Sequence, residues 1–101
     1  MKPLPLRQAL ELHRILSIHI PEEIGNDSLE FIGTIIKNIR ESGKHRDYVE
    51  AISIMTGLEQ DEIVQHSVED GIVAFTEGLA INRILELHSF CNKLGVKHGS
   101  R

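Results

Sequence analysis

The chain has 101 residues, 41% of them apolar and 26% charged, with a formal net charge of −4 and one cysteine. This is enough for one domain with a modest core, and it excludes an internal disulfide framework and a bilayer-spanning run of ~20 apolar residues. No apolar run of signal-peptide length follows MKPLPLRQ, so the sequence reads as a soluble cytoplasmic protein. Charge is segmented: residues 1–36, 37–46, 47–92 and 93–101 carry net charges of −2, +3, −8 and +3. A segment as acidic as 47–92 repels phosphate backbones and steers basic partners.

The predicted elements are all helical. In LPLRQALELHRILSIHI, residues Ala9, Leu12, Ile15, Leu16 and His19 fall on one face, and Pro21 and Gly25 then end the helix. Asp27 or Ser28 caps a second helix with a stripe of Leu29, Ile32, Ile36 and Ile39, stopped by Gly43. KHRDYVEAISIMTG aligns Tyr48, Ile52 and Met55 and stops at Gly57. LEQDEIVQHS gives a short acidic helix around Ile63. Ser67 and Asp70 have capping-box spacing ahead of a stripe of Val68, Ile72, Phe75 and Leu79. A last helix runs from Asn82 to Gly95 with Ile84, Leu87, Cys91 and Leu94 inward, and residues 96–101 form a frayed basic tail. The expectation is all-α: one compact domain, residues 1–101, of about five to six short helices.

No pattern carries catalysis, a cofactor or a small-molecule substrate. His88 and Cys91 have an i, i+3 spacing that suits two metal ligands, yet a zinc site needs two more and no second short-spaced His/Cys pair exists. The pair therefore reads as packing, with metal removal leaving thermal stability unchanged. His13, His45, His66 and His98 read as surface residues. Cys91 lies on the predicted core face, a poor place for a nucleophile.

Ser53, Gly57 and Ile63 partly match the spacing of a helix-turn-helix, the main alternative. Its recognition helix would begin with Glu59, Asp61 and Glu62, where phosphates and base edges should lie. The nearest basic cluster, Lys37, Arg40, Lys44 and Arg46, sits in the preceding turn. The expectation is no duplex DNA binding at physiological salt.

What remains unexplained is apolar surface. Leu10, Phe31, Ile54 and Leu85 each lie about 140–160° from their helix's best apolar face at 100° per residue. They read either as the second buried side of a two-layer fold or as a contact patch for a protein partner or a second copy of the chain.

The run IIKNIRESGKHRDYVEAISIMTGLEQDEIVQHSVEDGIVAFTEGLAINRILELHSFCNKLG, residues 35–95, resembles the small tail assembly chaperones of long-tailed bacteriophages. The likeness lies in the order of parts: a helix, a TG-L-acidic-I turn with a short helix in SIMTGLEQDEIVQHS, a Ser-capped helix through Phe75 and EGL, and a closing helix through LELHSF. The first 34 residues add nothing to it. The resemblance implies a non-enzymatic, all-α protein of a phage or prophage, acting in the bacterial cytoplasm. Its partner would be the tape-measure protein, kept soluble until tail-tube subunits polymerise around it. A phage-encoded inhibitor that binds another protein is the other interaction-class alternative.

Overall fold

Two side chains fix where helices begin. Asp27 accepts hydrogen bonds from the amides of Leu29 and Glu30 at 3.0 and 3.3 Å, and the Ser67 hydroxyl accepts one from the Asp70 amide at 3.0 Å. Each satisfies N–H groups that a first helical turn leaves without partners. The computed structural model describes residues 2–94. Within them lie six helices: α1 Leu6–Leu16, α2 Ser28–Ser42, α3 His45–Thr56, α4 Gln60–Ile63, α5 Val68–Ile81 and α6 Ile84–Lys93. A 3₁₀ turn, Ser17–His19, follows α1, and no strand occurs among the described residues. The expected all-α class is the observed one; the predicted stop at Gly95 and the basic tail lie outside the described residues.

Helix ends follow local chemistry. Gly43 and Gly57 close α2 and α3 with φ of 73° and 80°, a left-handed conformation that costs side-chain-bearing residues free energy. Between α5 and α6 the same work falls to Arg83, the one non-glycine residue with positive φ, 51°, among the described residues. The predicted start at Asn82 is shifted, because Asn82 caps the end of α5 instead. Its Nδ2 donates to the Gly78 carbonyl at 2.8 Å, and its Oδ1 accepts from the Leu4 amide at 2.8 Å, tying the amino-terminal segment down.

One core joins all the helices. Leu12 and Leu16 of α1, Ile32, Ile35 and Ile39 of α2, Ile52 of α3, Phe75 and Leu79 of α5 and Ile84 of α6 are buried together. Helix α3 is the hub, packed against α1, α2, α4 and α5. The radius of gyration, 12.7 Å, matches the ~13 Å of a compact domain of this length.

Three stripes differ from their sequence reading. On α2 the buried set is Phe31, Ile32, Ile35 and Ile39, rotated about 60° from the predicted one at 100° per residue. Leu29 is 68% exposed and Ile36 only half-buried. This helix is apolar over nearly half its circumference, and packing against α3, α5 and α6 selects the Phe31 side. On α6, Ile84 and Cys91 are buried, Leu87 is half-buried and Leu94 is exposed at the helix end. On α5, Phe75 and Leu79 are buried while Val68 and Ile72 emerge, 80% and 44% exposed.

Gly33 offers a simple test of the helical geometry. It lies within α2, exposed, and a Cβ added there would meet nothing within 4 Å. Gly33→Ala is expected to stabilise the fold by ~0.5–1 kcal/mol, through the lower entropy of the unfolded chain and better helix propensity. A raised urea midpoint with unchanged slope checks it.

Candidate functional site

The histidines inside the fold form structural pairs. His19, buried, places Nε2 2.8 Å from Asp47 Oδ2, while its carbonyl accepts from Asn38 Nδ2 at 2.7 Å. This network joins the 3₁₀ turn to α2 and α3. His13 is buried rather than a surface residue: its Nε2 and His88 Nδ1 share a hydrogen bond of 2.9 Å across α1 and α6, with ring centroids 5.2 Å apart. His88 also faces Phe31, with ring centroids 6.0 Å apart. His45 and His66 are exposed as expected; His98 lies outside the described residues. Burial pushes the Cys91 thiol up, which keeps it protonated and a poor nucleophile. Among the described residues no three His, Cys, Asp or Glu side chains are grouped to hold a metal ion.

The histidine pair has a pH signature. Burial holds the His88 imidazole below its ordinary value, so the folded chain binds a proton at this site less readily than the unfolded one. The stability tied to its neutral form is complete above the unfolded value of ~6.5 and is lost as pH falls from there through the lowered folded value. The thermal midpoint is therefore expected to drop between pH 7.5 and pH 5, and His88→Asn is expected to flatten that part of the profile. A midpoint that rises on acidification contradicts the assignment.

The four off-face apolar residues do not form one patch. Phe31 is 4% exposed and belongs to the core, which corrects its reading as a surface contact: α6 and the His88 ring cover it. Ile54 and Leu85 are half-buried and pack against the core. Leu10 is half-buried beside exposed Leu6 in a shallow groove on α1, and Leu85 lines a separate cleft with Ile24 and Phe90. Of the four, the α1 groove takes in only Leu10 and the cleft beside α6 only Leu85.

A run of exposed apolar side chains lies instead just after α4 and along the first half of α5. Val64 (64% exposed), Val68, Ile72 and Val73 all project from this segment. Separately, α3, α4 and α5 enclose a cleft of about 230 Å³ lined by Ile52, Ile63, Gly71 and Ala74 with Leu58, His66 and Asp70, and none of those four exposed side chains is part of its lining. The surroundings are acidic: residues 58–81 carry six carboxylates and no lysine or arginine. The stripe Val68–Leu79 is continuous in sequence, so nothing in its spacing separates its covered half from its uncovered half.

Ser67 fulfils half of the expected capping box. Among the described residues no return bond runs from Asp70 to the Ser67 amide; its carboxylate lies 3.9 Å from His66 Nδ1. No helix among the described residues is long and apolar enough to cross a membrane. No family model, curated protein or solved structure matches the chain.

Proposed function

We propose that the chain is a non-enzymatic, protein-binding domain acting as a tail assembly chaperone of a long-tailed phage or prophage. In the host cytoplasm it holds the tape-measure protein soluble during tail assembly. The observation that carries this reading is the exposed apolar set Val64, Val68, Ile72 and Val73, after α4 and along the first half of α5, in a stretch of unbalanced carboxylates. A long helical partner with apolar stripes self-associates unless those stripes are covered. A small protein that covers them needs apolar contacts rimmed by charge to stay dissolved itself. The resemblance over residues 35–95 supports the same assignment.

The geometry disfavours a helix-turn-helix regulator. The helix after the Gly57 turn has one turn and carries Asp61 and Glu62, where a recognition helix must reach base edges across a major groove ~12 Å wide.

Co-expression with the tape-measure protein of the same phage genome tests the proposal. The expected result is a tape-measure protein that moves from the insoluble to the soluble fraction and co-purifies with this chain. A partner that aggregates equally with and without it overturns the reading.

A further inference from the structure

The cleft between α3, α4 and α5 has the shape of a receptor for side chains rather than for a metabolite. Thr56 lines it, but its hydroxyl is already engaged, donating to the Ile52 carbonyl at 2.8 Å and accepting from the Leu58 amide at 3.2 Å. Ile52, Leu58, Ile63, Gly71 and Ala74 make most of the remaining lining apolar, and its two titratable groups, His66 and Asp70, are both exposed and face each other at 3.9 Å, a sparse polar set for orienting a small substrate. At about 230 Å³ it has room for aliphatic side chains but not for a helix backbone.

Charge selects the occupant. Glu59, Asp61, Glu62, Glu69, Asp70 and Glu77 are all exposed, and among the described residues none of them pairs with a lysine or arginine. Asp70 lines the cleft, while Glu59 and Glu62 adjoin its lining residues Leu58 and Ile63 in the chain. Such a rim repels nucleic acid, anionic lipid and the same face of a second copy.

We propose that this cleft docks a partner's amphipathic helix whose apolar stripe is flanked by lysines and arginines. The partner helix lies across the mouth and inserts side chains spaced i, i+3 or i, i+4 between Leu58 and Ala74, while its basic flanks meet the carboxylate rim. Gly71 and Ala74 on α5 line it with little or no side chain, and the Tyr48 hydroxyl stands 3.5 Å from where a Cβ on Gly71 would lie. This deepens the reading of the chain as a protein-binding domain and rests on it.

The test uses the full chain, labelled with ¹⁵N, and a synthetic Leu/Lys amphipathic helix of about 20 residues, ~30 Å long, with a Leu/Glu helix as control. The expected result is saturable shifts of the Thr56, Leu58, Gly71 and Ala74 amides with the Leu/Lys helix alone. Ala74→Phe, which fills the cleft without changing charge, should weaken binding about tenfold or more. Where Ala74→Phe lowers the thermal midpoint, Leu58→Gln at the rim replaces it. Equal affinity for the parent and the cleft variant indicates adsorption to an acidic surface and overturns the proposal, as does equal binding of the Leu/Glu helix or absence of binding. Shifts confined to the Leu85 and Phe90 cleft overturn it too. Retention of the co-expressed tape-measure protein by Ala74→Phe refutes the cleft alone, whereas its loss by the parent chain refutes the function.

Discussion

Phe75→Ala is expected to destabilise the fold by ~3–5 kcal/mol, a large share of the ~5–15 kcal/mol that holds a domain of this size together. The ring is fully buried on α5 where that helix meets the hub helix α3, stacked on Tyr48 with centroids 4.7 Å apart. Its removal loses both the transfer free energy of the ring and the contacts of the atoms that lined it, because close-packed neighbours collapse only partly into the void. Val68 lies about two helical turns earlier on the same stripe and is 80% exposed, so Val68→Ala should stay within ~0.5 kcal/mol. Urea unfolding of the two variants checks the difference directly. Similar midpoints for both would mean that the stripe is covered along its whole length.

Phe31→Ala is expected to carry a penalty of the same size, ~3–5 kcal/mol, by equilibrium unfolding. Its angular position on α2 fits a surface contact equally well, so the measurement separates two accounts of one residue. The ring is buried and faces His88, and the cavity left behind would open beside the hydrogen-bonded His13 and His88 rings. Desolvation of the His88 ring would fall, and the acid side of the stability profile should shallow together with the midpoint. A Phe31→Ala protein as stable as its parent would place the ring at the surface and restore it as a partner contact.

The helices were legible because their start and stop signals are local. Asp27, Ser67, Gly43 and Gly57 act on backbone groups within a few residues, and all four cap as their sequence context predicts. The break at Arg83 was not, since arginine in a left-handed conformation carries no compositional mark. Which side of a helix is buried depends on neighbours distant in sequence. The face of α1 is narrow and was read with only His13 misplaced, whereas α2 is apolar on two sides and its rotation is set by α3, α5 and α6. The candidate surface was hidden for a related reason. Val68 and Ile72 have the spacing of core residues, yet they are 80% and 44% exposed. His13 and His88 are 75 positions apart, and no spacing rule reaches that far.

The proposed function requires the exposed side chains of the α3–α4–α5 surface to meet the partner while Ile52 and Ile63 beneath them hold the core. Retention of the tape-measure protein by Leu58→Asp/Val68→Asp, measured beside the thermal midpoint of that variant, tests it most directly. Both side chains belong to the exposed apolar set, so the variant is expected to melt within a few degrees of the parent and to lose the partner. A variant that melts like the parent and retains the partner to the same extent contradicts the account.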